Sequence, residues 1–312
     1  EGAWLVTDSR YIEAAQKQAA PGVEVLLTTR ERPLGAILRE LADRLGIEKL
    51  GAEEEKLSHA LYLRMERTLG RELLPAQELL VSLRSCKTEE ELRSLVAAQR
   101  IAEKALEEVL PLLKPGAVER EIAAEITYRM RLHGAEGNSF DPIVVTGAKS
   151  SMPHGVPGDE RIAAGDFVTM DFGCVKDGYC SDMTRTVAVG SATDEMKNVY
   201  ATVLAAQEAG IAAARPGVTG AQIHGAAAKV ISDAGYGAYF GHGFGHGVGL
   251  DIHEQPNASP ANEKPMPEGA VISAEPGIYL PGKFGVRIED VLYLSGEGCV
   301  DITKAPKDLL IL

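Results

Sequence analysis

Apolar and polar positions alternate with a period of two along residues 168–189, VTMDFGCVKDGYCSDMTRTVAV, on either side of a Lys176-Asp177-Gly178 turn. This pattern predicts a β-hairpin whose strands each have one buried face. A second hairpin is written into residues 271–291, VISAEPGIYLPGKFGVRIEDV, around Pro281-Gly282-Lys283. Helical spacing of apolar positions runs instead through 34–45, 57–69 and 89 to about 110. Thr88, with Glu91 three residues on, supplies a capping box for the last of these. Strand-like runs at 3–6 and 23–27 alternate with the first helices, so residues 1–80 read as a small α/β domain and 81–312 as a second, larger one. The boundary is expected between Arg71 and Arg84, with 83–89 as linker.

The larger part contains a weak internal repeat. Lys114-Pro115-Gly116 opens a helix ending near His133-Gly134, and Arg215-Pro216-Gly217 opens another ending near Ala234-Gly235. The displacement is 101 positions at both ends, 116 to 217 and 134 to 235, and Ile223 answers Ile122. Each copy follows a long helix, 89–110 or 193–214, and precedes strands bearing one of the two hairpins. The expected fold class is α+β, duplicated about a pseudo-two-fold axis.

The hairpins carry the chemistry. Centring the first on Lys176 and Asp177 places Asp171 across from Asp182, with Cβ atoms roughly 4.5–5.5 Å apart. Centring the second on Gly282 places Glu275 across from Glu289. Facing carboxylates repel unless a cation lies between them or one is protonated. Between the hairpins, GHGFGHGVGLDIHE (241–254) brings backbone close to such a site through glycines at every second position, and offers His242, His246 and His253. Carboxylates with imidazole suit Mn²⁺, Co²⁺, Zn²⁺ or Fe²⁺. Taken singly, each motif has a plainer reading as a turn aspartate, a solvated Glu-Asp pair or a core histidine. The glycines also lack the G-x-G-x-x-G spacing of a phosphate cradle. Together, the acidic pairs and the Gly-rich strand point to a two-metal site. His59, His133 and His224 are given no role.

Composition narrows the class. At 312 residues and 45% hydrophobic content, the chain can bury a sizeable core. It contains no apolar run near the roughly 18 residues that span a membrane. A net charge of −13 argues against nucleic acid as partner. Cys86, Cys174, Cys180 and Cys299 form no CxxC pair and read as reduced thiols, which fits a cytoplasmic protein.

MDFG with Asp171, SDMTRT with Asp182, GHGFGHGVGLDIHE with His246, SAEPGIY with Glu275 and GVRIEDV with Glu289 together resemble the complete signature of the pita-bread metallopeptidases. The resemblance implies a pita-bread catalytic domain holding two divalent metal ions, Mn first and Co or Zn as alternatives. Their ligands would be Asp171, Asp182, His246, Glu275 and Glu289, with Asp182 and Glu289 bridging. Glu275 would be general base, with His154 (in SMPHGVPG), His253 and His242 on the substrate side. Arg287 would point away from the ligand row or support the site by hydrogen bonding, and Tyr279 would line the proline pocket or simply pack. The 7–11 stretch TDSRY and the 83–89 stretch are similar to the creatinase-like N-terminal domain of the proline-specific members. The implied activity is that of an Xaa-Pro dipeptidase (prolidase), with an Xaa-Pro aminopeptidase as alternative and a non-catalytic peptide-binding module of the same fold as a third reading. Proline-containing dipeptides or short peptides are the implied substrates, and a homodimer is the implied assembly. That N-terminal domain normally starts with a further strand and helix, so it is expected to be incomplete in the sequence as given.

Overall fold

The structure is a computed structural model, and residues 2–312 are described. The chain forms two compact units, one ending at Ser82 and the other spanning Leu83–Leu312.

In the smaller unit, Ala3–Thr7 pairs in parallel with Val23–Leu27, and Leu50–Ala52 with Leu73–Pro75. Helices Ile12–Gln18, Leu34–Arg44 and His59–Leu69 connect them. Ser58 caps the third helix by accepting from the Leu61 amide, and Gly70, at φ 64°, ends it in the left-handed conformation. The strands at 50–52 and 73–75 are too short to show an alternation. The expected linker is replaced over part of its length by helix Gln77–Ser85. Its Leu79 and Leu83 are exposed, so no buried apolar face marks it in the sequence.

The larger unit displays the repeat. Helices Glu89–Val109 and Asp194–Ala213 each precede a shorter one, Glu119–Leu132 or Gly220–Asp233, and the shorter pair keeps the 101-residue offset at both ends. Thr88 and Glu91 form the capping box. Gly116, Gly217, Gly134 and Gly235 all have φ between 82° and 96°, which explains glycine at both ends of both copies. Each helix pair packs on its own sheet. Ile101, Leu106, Ile122, Ile126 and Met130 meet Val144, Val168 and Met170 in one core. Val203, Ile223 and Ile231 meet Phe244, Ile272 and Val286 in the other. Each such fully buried side chain contributes about 1.5–3 kcal/mol.

The first hairpin joins Phe167–Phe172 to Met183–Ala188, with Ile143–Thr146 beyond. The hairpin differs from the sequence pattern in burial and in register. All residues of both strands are buried, because the polar face is covered as well as the apolar one. The register is also two positions off: Thr184, not Asp182, lies across from Asp171. The turn is centred on Asp177 and Gly178, whose φ values of 51° and 80° suit a type I′ loop. A two-residue shift preserves the face, so Asp171 and Asp182 still project to one side. In the second hairpin, Ala274 pairs with Asp290 and Gly277 with Arg287, a register that places Glu275 across from Glu289 as expected.

A candidate dinuclear metal centre

The two hairpins meet through Thr184 and Glu289. The Thr184 hydroxyl donates to Glu289 Oε2 at 2.7 Å, and the Glu289 amide donates to the Thr184 carbonyl at 3.1 Å. The Gly-rich strand Gly245–Gly247 inserts beside Val271–Ala274, and glycine is required there: a Cβ on Gly245 would stand 1.9 Å from the Ser273 carbonyl oxygen. That approach brings His246 Nε2 to 3.4 Å from Asp182 Oδ2 and 3.2 Å from Glu275 Oε1. His246 Nδ1 lies 3.1 Å from the Gly247 carbonyl, a contact that favours the proton on Nδ1 and leaves Nε2 available to a metal ion. Ser273 Oγ donates to Glu275 Oε1 at 2.9 Å and accepts from the His246 amide at 3.0 Å.

Asp182, His246 and Glu289 can each offer one ligand atom within 4.8 Å of the others. Asp171 stands beside them with Oδ2 held by Arg287 Nη2 at 2.5 Å. Of the two orientations open to Arg287 in the sequence, the side chain takes the inward one. Its Nε donates to Thr184 Oγ1 at 3.1 Å, and its Nη1 to the Tyr279 hydroxyl at 2.8 Å and the Pro153 carbonyl at 3.2 Å.

Charge is unbalanced in this site. Burial, with Asp171 adding to it, pushes the Asp182 carboxyl up to about 7 against the pull of His246. Burial likewise raises Asp171 in spite of Arg287, and raises Glu289 well above the usual carboxylate range with Asp182 and Glu275 adding. Burial works upward on Glu275 too, but the His246 hydrogen bond and charge outweigh it and hold this carboxyl at about 2. For His246 burial is opposed and overcome by Asp182 and Glu275, so its pKa lies well above the usual imidazole value. Burial lowers His242 and His253, which are neutral rings at neutral pH. Asp171 Oδ1 and Asp182 Oδ1 are buried without a hydrogen-bond partner among the described residues. Four clustered carboxylates, two orphaned oxygens and an imidazole nitrogen turned inward fit divalent cations of the Mn–Zn group.

All nine residues singled out in the sequence line one cleft of about 560 Å³. His242 Nε2 is 3.0 Å from the Tyr279 hydroxyl, and the His253 ring packs edge-on against His246 at 4.3 Å between centroids. Tyr279 also lines the cleft. His133 lies elsewhere, 2.9 Å from Glu108. His224 stacks on Phe240, which in turn meets His242 edge-on. Thr184 and Ser273 were missed in the sequence. Each sits two positions from a carboxylate at the strand's edge, Asp182 just before Met183–Ala188 or Glu275 just after Val271–Ala274, and the period of two places them on the same face.

Residues 93–295 match the family model for metallopeptidase family M24. The chain belongs to metallopeptidase family M24. Residues 1–86 of this M24 member match the Creatinase/Prolidase N-terminal domain. Family membership implies divalent metal ions and confirms the α+β pita-bread architecture with a creatinase-like first domain. An Xaa-Pro dipeptidase from Bacillus anthracis superposes with a TM-score of 0.94 at 41% identity, covering 98% of this chain and 86% of that one. An X-Pro aminopeptidase from Thermotoga maritima superposes at 0.93 and 38% identity, covering 99% and 87%. The Xaa-Pro dipeptidase of Pyrococcus horikoshii is 38% identical over 266 residues, 85% of this chain and 76% of its own length. Among the described residues no helix is long and apolar enough to cross a membrane, and the four cysteines are free thiols.

Proposed function

We propose that this M24 peptidase is a dinuclear-metal Xaa-Pro dipeptidase, hydrolysing the peptide bond before proline. The observation that supports the reading is the cluster of Asp182, His246 and Glu289 ligand atoms, which with Asp171 and Glu275 line a cleft of about 560 Å³. Asp171, Asp182, His246, Glu275 and Glu289 would hold the ions, Asp182 and Glu289 between the two, with Mn²⁺ preferred over Co²⁺ or Zn²⁺. Bound there, such ions supply Lewis acidity and bring the pKa of a water near neutrality.

Glu275 would accept the proton of the attacking water and return it to the proline nitrogen as the C–N bond breaks. Ser273 fixes its orientation. His154 and His253 face the cleft as hydrogen-bond donors for the carbonyl oxygen as it gains charge. His242 is oriented by Tyr279, and Arg287 holds Asp171 in place while joining Thr184 and Tyr279. The activity belongs to the domain taken as residues 81–312, and the working enzyme is taken to be a cytoplasmic homodimer.

One observation favours an Xaa-Pro aminopeptidase as the second reading. Among the described residues lining the cleft, Arg287 alone is an arginine or lysine, and its guanidinium is already engaged, so no free cation awaits a terminal carboxylate. The deciding assay is hydrolysis of Ala-Pro, Ala-Pro-Ala and Met-Ala-Ser by Mn²⁺-loaded protein. Cleavage of Ala-Pro alone is the outcome expected. Cleavage of Ala-Pro-Ala moves the assignment to the aminopeptidase, and turnover of Met-Ala-Ser in preference to both contradicts proline specificity.

A further inference from the structure

We propose that Glu119 is a positioning residue for His154, acting as a clasp on the loop that carries it. The proposal rests on the reading of His154 as a substrate-side histidine. Glu119 is the first residue of helix Glu119–Leu132, far in sequence from every metal-site motif, and it is fully buried. Its Oε1 accepts from the Thr146 amide at 2.8 Å. Its Oε2 accepts from Lys149 Nζ at 2.6 Å and from the Gly158 amide at 3.0 Å. Thr146 and Gly158 are the two ends of the segment containing His154, so one carboxylate ties the entry of the loop to its exit. Buried carboxylates persist only when paired and hydrogen-bonded, and here the loop itself supplies all three donors.

The middle of the loop is pinned to the second hairpin. Ser150 Oγ accepts from the Gly285 amide at 2.9 Å, and the Pro153 carbonyl accepts from Arg287. His154 itself is exposed, and its imidazole has no hydrogen-bond partner among the described residues. The backbone path between Thr146 and Gly158 therefore sets where the ring stands in the cleft. The internal repeat supplies a control. The position 101 residues after Glu119 is Gly220, where a Cβ would meet the Asn257 carbonyl oxygen at 2.3 Å. A buried carboxylate is thus not a requirement of the repeated helix start. It occurs in the half of the molecule whose following loop carries His154.

The test uses Glu119→Gln, which keeps volume and turns one acceptor into a donor facing the loop donors. In the metal-loaded, full-length protein, amide hydrogen exchange over 146–158 is expected to speed up at least tenfold while that of 167–172 is unchanged, with Mn²⁺ stoichiometry retained. On Ala-Pro or Ala-Pro-Ala, kcat/KM is expected to fall roughly 10- to 100-fold, the scale of an ångström-level misplacement. In a His154→Ala background, adding E119Q is expected to change kcat/KM less than twofold, because the clasp has nothing left to position. Losses that multiply in the double variant would mean a general structural role and overturn the proposal, as would unchanged exchange over 146–158. If E119Q does not fold, Lys149→Met is expected to show the same pattern with smaller amplitude. Should the wild type hydrolyse none of the peptides, the functional reading fails, and the exchange experiment still decides whether the clasp exists.

Discussion

Thr184 is the side chain on which the two halves of the candidate metal centre converge, since it donates to Glu289 and accepts from Arg287, which holds Asp171. Groups that orient ligands in this way typically govern 10- to 100-fold in metal affinity. Thr184→Val, which keeps the shape and removes both hydrogen bonds, should weaken Mn²⁺ binding by about that factor with little change in fold; calorimetric titration would read it, and wild-type affinity would contradict the arrangement. The titrating residues give a second expectation. Asp182 is raised to about 7 and His246 is raised as well. A carboxyl with a raised folded-state pKa binds more protons when folded, so its contribution to stability falls as pH climbs from about 4 to about 7. A raised histidine contributes fully below its ordinary pKa and loses that contribution as pH passes the raised one. Both signs agree. The thermal midpoint of chelated protein should gain less from Mn²⁺ at pH 5 than at pH 8, and metal uptake at pH 6 should release protons, measurable as heats that differ between buffers of different ionisation enthalpy. The carboxylates and His246 stand out in the sequence by their spacing. Thr184 and Ser273 do not, because a hydroxyl on a strand has no distinctive spacing of its own and becomes meaningful only once its face is known.

Among the elements, the Gly245–Gly247 strand has the least room. Gly245→Ala places a methyl group against backbone, not against a side chain that could rotate away. The expected cost is about 1–3 kcal/mol or more, read as a lower urea midpoint together with loss of metal binding; an unshifted midpoint would show that the close approach to Ser273 is not required. The second hairpin was legible to the residue because a single central glycine, Gly282, fixes its register. The first hairpin differs by two positions from a turn centred on Lys176-Asp177, because Asp177-Gly178 is the dipeptide that a type I′ turn prefers. A two-position shift leaves the faces intact, which is why Asp171 and Asp182 still lie at one cleft although their pairing differs. Helix Gln77–Ser85 was hidden for a different reason: its leucines at 79 and 83 face outward, and hydrophobic periodicity reports burial.

Across the whole molecule, the duplication explains why four carboxylates gather at one place. Two copies of a long helix, a short helix and a hairpin deliver one acidic pair each, and the 101-residue offset survives in the helix ends while most side chains have diverged. The repeat was visible because left-handed glycines at helix ends tolerate few replacements. The first unit was harder to read, since strands as short as Leu50–Ala52 and Leu73–Pro75 show no period. The central claim is that two divalent ions held by Asp171, Asp182, His246, Glu275 and Glu289 are required for cleavage before proline. Its most direct test is to strip the protein with chelator, titrate Mn²⁺ back, and follow bound metal and Ala-Pro hydrolysis in the same samples. The expected result is no hydrolysis in the stripped protein and activity that rises to its plateau as two ions bind per chain, with neither uptake nor activity in Asp182→Asn. Hydrolysis that persists after complete stripping, or a plateau reached with no metal bound at these residues, would contradict the account.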